Sequence, residues 1–446
     1  MIKILFWSAT VALAGFLFGF DTVVISGADK KLQALWGSSD AFHGFVVMSM
    51  ALWGTVIGAF LGGFPTNKFG RKNTLIGIGI LFFVSAIGSA MVSDPYLFSA
   101  FRFIGGLGVG ASTIAAPAYI SEIAPAKSRG WLVATYQLSI VLGVLGAFVS
   151  NYLFKDFGEN AWRWMIGIEA VPAFIYGVII LFVPKSPRWL AIKGREQEAV
   201  DTLAIISPNV GVEDFAKQVN SEDVKNHENI FMRKYRPALL LVFFIAFFNQ
   251  FSGINAFLYY GPRIFEEAGL ANSAALLSSI GIGAINLLFT IIGMILIDRL
   301  GRKQMMYIGS IGYIVSLSLV AIAFFNGWQG LAIPIFFFIF IASHAIGQGT
   351  VIWVFISELF PTHLRAQGQA AGCTVHWVLA AAIPSFIPML FSSIGAGTVF
   401  SIFALMMVGQ IIWVRLKMPE TKGKSLEDIS AELVKPSVKY NPDVID

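Results

Sequence analysis

Long apolar runs separated by short polar breaks dominate this chain. A run of about 20 apolar residues is long enough to cross a hydrocarbon core as a helix. Twelve such runs are present, at roughly 5–27, 42–64, 73–92, 96–119, 130–153, 162–183, 237–261, 275–297, 304–325, 330–358, 366–390 and 395–416. Six precede the polar stretch 185–236 and six follow it. That stretch sets Ala, Val, Leu and Ile at helix-like spacing among Glu196, Glu198, Asp201, Glu222, Asp223 and Lys225, which predicts short amphipathic helices. The tail beyond Leu416 is polar, with prolines at 436 and 442, and is expected to be loose at its end. The expected architecture is an all-α membrane protein of twelve transmembrane helices. Residues 1–184 and 237–418 form two pseudo-symmetric six-helix bundles, 185–236 a helical linker and 419–446 a tail.

Composition agrees with this pattern. Hydrophobic residues make up 56% of the chain and charged ones 13%, against about 25% charge in a soluble domain. No stretch accommodates a soluble catalytic domain, so the chain is not expected to be an enzyme. The 44 glycines and 41 phenylalanines suit close helix packing and lipid-facing bulk. The net charge of +5 reports topology rather than a nucleic-acid partner. With the N-terminus inside, only Lys30, Lys31, Lys155, Arg163 and Arg263 of the 31 Lys and Arg fall in outer loops, and Arg102 lies within a run. The positive-inside bias therefore places both termini in the cytoplasm. The single Cys373 excludes a disulfide framework and a multi-cysteine metal site. No metal or organic cofactor is expected. Lys3 ahead of an apolar run imitates a signal peptide, but Asp21 interrupts that run and no small-x-small site ends it, so it reads as a retained first helix.

The two halves share motifs. YISEIAPAKSRG (119–130) and FISELFPTHLRA (355–366) both carry Glu-x-x-Pro-x-x-x-Arg, as Glu122/Arg129 and Glu358/Arg365. GGFPTNKFGRK (62–72) and GMILIDRLGRK (293–303) bring Arg71 and Arg302 to the same inner edge, and PKSPRWL (184–190) loosely matches PETKGKSL (419–426). A duplicated membrane bundle is the layout of many transporters. GRK alone is as well explained by anchoring at the interface. With the Glu and Arg residues nearby, exchangeable ion pairs forming a cytoplasmic gate are the stronger reading, since alternating access needs contacts that differ between states.

Three ionisable residues interrupt apolar runs: Asp21, Arg102 and Glu169. An isolated charge at mid-membrane costs about 2.5–3.5 kcal/mol on the translocon scale, so Asp21 and Arg102 are expected to pair. The pair is either a packing element or a switch. Arg stays charged, whereas Asp can take up a proton when burial and separation from Arg favour the neutral form. In the seventh run, FFNQFSGINAFLYYGP concentrates Asn249, Gln250, Asn255 and Tyr259. Uncharged amides beside an aromatic ring in an apolar helix suit a neutral ligand that offers hydroxyls and an apolar face. On an ideal helix Gln250 and Asn255 lie about 140° apart, so a break at Ser252-Gly253 is needed to bring them together.

The duplicated blocks, with PKSPR and PETKG, resemble the sugar porter family of the major facilitator superfamily from the first run to PETKG. That family includes bacterial xylose–proton and glucose–proton symporters and animal glucose facilitators. The resemblance implies the major facilitator fold and a probe for each site. FGFDTVVISG matches proton-coupled members, with Asp21 where passive ones have Asn. RFIGGLGVG supplies Arg102, and Glu169 falls where symporters carry an acid. By the same resemblance Gln137, Asn286 and Trp353 would line the sugar site with the seventh-run residues. His376 and Trp377 would join them, His376 standing where relatives have Gln or Asn. Departures are Asn67 for Asp (kept as Asp298 in the second repeat), Lys185 for Glu, Asn249 for Gln, and IGQGTVIW in place of GPGPxxW. The last brings Gln348 into a shared face with His344, their role open.

The expected function is import of a monosaccharide with a proton, by a monomer in the plasma (bacterial inner) membrane. Its partners are the sugar, the proton and the lipid bilayer. The alternatives are a passive uniporter of the same fold and a non-transporting sugar receptor. A drug exporter is disfavoured by the amides.

Overall fold

The computed structural model describes residues 2–125, 128–206, 229–361 and 364–424, with 428, 429 and 433. Part of the expected linker (207–228, with Glu222, Asp223 and Lys225) and most of the tail lie outside the described residues. Eleven helices are long and apolar enough to cross a membrane, and a pair bent by 41°, Asp40–Met48 and Met50–Lys68, completes twelve passes. In chain order span one is Ile2–Gly27, span two the bent pair, span three Arg71–Met91, span four Pro95–Ile123, span five Arg129–Phe154 and span six Gly158–Phe182. Span seven is Arg233–Glu267, span eight Asn272–Leu300, span nine Arg302–Phe325, span ten Ala332–Glu358, span eleven Gln367–Ile394 and span twelve Ala396–Leu416. Between the two sets of six lie the short helices Pro187–Ile192 and Glu196–Ile206. There is no strand among the described residues.

Local chemistry accounts for where helices begin and break. Asp94 accepts from the Leu97 amide at 2.8 Å ahead of Pro95, a side-chain cap that opens span four. Gly70 and Gly301, with φ of 94° and 89°, make the turns into spans three and nine, a conformation glycine adopts without penalty. Span seven divides into Arg236–Phe251 and Ile254–Glu267, with Gly253 between them at φ 83°. The second segment continues six residues past the expected end at 261, carrying Arg263, Glu266 and Glu267 on helix rather than in a loop. Two π-helical turns, His43–Met48 in span two and Ala345–Gly349 in span ten, have no counterpart in the sequence reading.

The two sets of six meet along spans two and eleven, five and eight, and one and seven. Two of these crossings are made by backbone. A Cβ on Gly44 would stand 2.2 Å from the Ser385 carbonyl oxygen, and one on Gly283 2.9 Å from Leu145 Cα. Phe45 and Phe386 pack edge to face at 4.8 Å beside the first crossing. One apolar core runs through both sets, joining Phe20, Val24 and Leu52 to Phe257, Tyr259 and Trp377. The outer surface exposes Phe60, Phe64, Phe174 and Leu405, as a helix bundle solvated by lipid requires.

Candidate functional site

Asp21 sits near the end of the α-helical part of span one, just before the 3-10 turn Ile25–Gly27. Arg102, from span four, has no solvent exposure. It donates from Nη1 to Asp21 Oδ1 and from Nη2 to the Asp21 main-chain oxygen, the latter at 2.8 Å. Glu169 is equally buried, at the junction of the segments Ala161–Gly167 and Ala170–Ile179 of span six. It interacts electrostatically with both Asp21 and Arg102. Tyr259 reaches the same cluster from span seven. Four oxygens there have no hydrogen-bond partner: Asp21 Oδ2, both carboxyl oxygens of Glu169 and the Tyr259 hydroxyl. Arg102 is thus paired with Asp21, while Glu169 lies buried and unbonded within electrostatic reach of both, and Tyr259 approaches the same cluster from the other six spans.

The break at Gly253 brings together the amides that an ideal helix would separate. Asn255 Nδ2 donates to Gln250 Oε1 at 2.7 Å, and Gln250 Nε2 donates to Asn249 Oδ1 at 2.9 Å. Gln250 Nε2 also lies 3.2 Å from the His376 ring. His376 packs between Trp353 at 4.9 Å and Trp377 at 5.0 Å. Trp377 meets Phe18 of span one at 5.5 Å, and its indole N–H is buried without a partner. Gln137 and Asn286 are half-buried on spans five and eight, which pack together. His344 is held by the Tyr313 hydroxyl at 2.5 Å, inside the last six spans. Gln348 is fully buried between Asn249 and Gln410.

At the face carrying the termini, the repeated motifs form one ion pair in each set of six. Arg71 Nη2 lies 2.7 Å from Glu122 Oε1. Arg302 grips Glu358 through Nε at 3.1 Å and Nη2 at 2.8 Å. Asn67, the departure from Asp, still accepts from Arg71 at 3.4 Å. Arg129 is exposed, and Arg365 is half-buried with its Nε unbonded, so neither belongs to these pairs. The second repeat is braced further by Glu420, which accepts from the Arg302 and Lys303 amides at 3.0 and 2.9 Å. Lys185 stands at the matching place in the first repeat and turns instead to Glu198 at 3.3 Å.

Burial alone would raise the Glu420 pKa, but the amides of Lys422, Lys303, Arg302 and Thr421 outweigh it and hold the carboxyl below its ordinary 4.5. A depressed pKa contributes stability that is complete above the ordinary value and lost as pH falls through the lowered one. Glu420→Gln should therefore lower the thermal midpoint of the detergent-solubilised protein near neutral pH. The gap from the parent should close as the pH is taken below 4.5; a gap that persists in acid would contradict this account.

The opposite face holds a network that the sequence reading missed. Asp29, 2% exposed, accepts from Arg263 Nε at 2.6 Å and Nη2 at 2.9 Å. The fully buried His43 donates from Nε2 to Asp29 Oδ1 at 2.6 Å. Lys30 pairs with Glu266 at 2.7 Å alongside. The Lys30–Glu266 and Arg263–Asp29 pairs both join the first six spans to the last six at this face.

A sequence model for "Sugar (and other) transporter" matches residues 7–433. The arabinose-proton symporter of Bacillus subtilis is 35% identical over 439 residues, 96% of this chain and 94% of that protein. The inward open conformation of the xylose transporter XylE from E. coli superposes with a TM-score of 0.86 at 30% identity, covering 96% of this chain and 99% of that one. The same proton:xylose symporter bound to 6-bromo-6-deoxy-D-glucose gives 0.80 at 31% identity, with coverage of 96% and 99%.

Proposed function

The chain belongs to the sugar transporter family, and from that membership we propose that it imports a monosaccharide, pentose or hexose, together with a proton by alternating access. The observation that supports the coupling is a second buried carboxyl, Glu169, left without a hydrogen-bond partner beside the buried Asp21–Arg102 ion pair. Three full charges there would leave an uncompensated negative charge in a low-dielectric interior, which is costly. One bound proton balances the cluster, and a protonated carboxyl satisfies an otherwise orphaned oxygen of its neighbour. Asp21 is the carrier, Arg102 its counter-charge and Glu169 the second acid of the pair.

The two six-helix units, residues 1–184 and 237–418, rock about a central sugar site. Asn249, Gln250, Asn255, Asn286 and Gln137 supply its amides. Trp353, His376 and Trp377 supply its rings, and Tyr259 ties the seventh span to the proton cluster. Both termini are cytoplasmic in a bacterial inner membrane, a placement supported by the Lys and Arg distribution. With that orientation the Asp29–Arg263 network closes the outer face, and the state described is inward-facing. The TM-score of 0.86 against the inward open relative supports this reading. Arg71–Glu122 and Arg302–Glu358 then preorganise each unit's inner edge, and Arg129 and Arg365 take up partners when that edge closes.

The test is uptake of labelled xylose, arabinose and glucose into proteoliposomes with and without an inward proton gradient. Concentrative uptake only with the gradient is expected. Uptake that merely equilibrates, gradient or not, would make the chain a passive carrier, and binding without flux would make it a receptor.

A further inference from the structure

We propose that Gln348 and Gln410 are positioning residues that set the polarity of the sugar site, so that Asn255 presents its carbonyl oxygen to the sugar and accepts from a hydroxyl. This rests on the sugar-transport reading above and adds two residues that do not touch the sugar.

The argument starts at a backbone carbonyl. Ser310 Oγ lies 2.6 Å from the Met306 carbonyl oxygen. A carbonyl only accepts, so the hydroxyl proton of Ser310 is committed there. Gln410 reaches Ser310 Oγ at 2.7 Å and must therefore present its NH2 end. That turns Gln410 Oε1 toward Gln348, whose Nε2 donates at 2.7 Å. Gln348 Oε1 then faces Asn249, which donates from Nδ2 at 3.4 Å. Asn249 Oδ1 accepts from Gln250, and Gln250 Oε1 accepts from Asn255 Nδ2. Each amide has one accepting and one donating end, so a single carbonyl at Met306 orients, through Ser310, five amide side chains in succession. The end of the series is Asn255 Oδ1, turned away from Gln250.

Burial makes the polarity hard to reverse. Gln348, Gln410 and Ser310 have no exposure, and Gln250 and Asn249 have 1% and 2%. Flipping any one amide sets donor against donor and acceptor against acceptor at a buried position, where an unmade hydrogen bond is costly. Asn255 is the most exposed member, at 9%. Gln348 reaches this line because span ten takes a π-helical turn at Ala345–Gly349, an insertion that turns side chains off the regular helical register. Hydrogen bonds in one direction polarise one another, so a hydroxyl donating into Asn255 extends the line, while a group that only accepts meets the wrong end.

The experiment compares each parent sugar the chain transports with its monodeoxy and monofluoro analogues, on the full chain in proteoliposomes. Fluorine fills the space of a hydroxyl and accepts weakly but cannot donate. At one ring position the fluoro sugar should lose about as much as the deoxy sugar, roughly tenfold in KM. In Gln348→Met the line is cut behind Asn249 and the remaining amides are free to turn. KM for the parent sugar should rise about tenfold with Vmax kept, and the fluorine penalty should fall below about threefold. Fluoro sugars that match the parent at every position would overturn the proposal, as would a folded Gln348→Met protein with the full penalty. If that variant does not fold, the analogue panel on the unaltered chain decides alone. A chain that takes up no sugar fails the transport reading, whereas uptake with no fluorine-intolerant position fails only this one.

Discussion

Asp21→Asn should abolish uphill accumulation while leaving exchange of labelled for unlabelled sugar. Asparagine keeps the shape of aspartate and still offers Arg102 a carbonyl oxygen, but it cannot bind and release a proton. With one proton per sugar, each pH unit across the membrane supports about tenfold accumulation. The variant should instead settle at equal concentrations inside and out at every gradient. The exchange assay separates loss of coupling from loss of fold, because exchange needs an intact site and a moving frame but no net proton flux. Glu169→Gln should act in the same direction, since it removes the second carboxyl from the same guanidinium. Gradient-driven accumulation surviving in Asp21→Asn would take Asp21 out of the mechanism.

Arg263→Ala should shift the protein strongly toward its outward-facing state. At the closed face opposite the Arg71–Glu122 and Arg302–Glu358 pairs, Asp29 is 2% exposed and is held by two bonds from Arg263. Removing one partner of a buried pair costs about 3–5 kcal/mol, because the remaining charge is left uncompensated. Opening that face returns Asp29 to water, so the loss falls on the closed state alone. The population ratio should move by about two to four orders of magnitude. Spin-label distances across the outer ends of spans one and seven would read the shift, in a background where the one native cysteine, Cys373, is replaced by serine. Asp29→Asn in the same chain should restore much of the closed population, because no charge is then stranded. An unchanged distance distribution in Arg263→Ala would exclude this pair as an outer gate.

How much of this was legible in the sequence depends on how far each feature depends on partners distant along the chain. The twelve passes follow from apolar length alone, and the break at Gly253 from a glycine beside the amides that needed it. The Asp21–Arg102 contact follows from the cost of leaving either charge unpaired in an apolar run. The Asp29–Arg263–His43 network carried no such signal. Arg263 reads as an ordinary outer-loop charge and His43 falls inside the second apolar run, and the expected end of span seven at 261 comes before the helix ends. Extending the helix to Glu267 puts Arg263 one turn beyond Tyr259, on a helix that faces span one, and that signal was available. The π-turn in span ten was not, because nothing local in IGQG marks an inserted residue. The buried partner of Gln348, Gln410, lies two spans away and can be found only in three dimensions.

The crossings at Gly44 and Gly283 have a mechanical consequence. Where side chains interdigitate, two helices cannot slide without repacking, and each intermediate position carries a cost. At these two points a glycine face meets the other half directly, Gly44 against the Ser385 carbonyl and Gly283 against the backbone and side chain of Leu145. In the proposed rocking motion the glycines present no side chain to be lifted out of a socket, and the Phe45–Phe386 contact beside the first crossing is one that must repack. A methyl group added at Gly44 or Gly283 would stand 2.2 Å from the Ser385 oxygen or 2.9 Å from Leu145 Cα, and is expected to hinder that motion while leaving the binding groups intact.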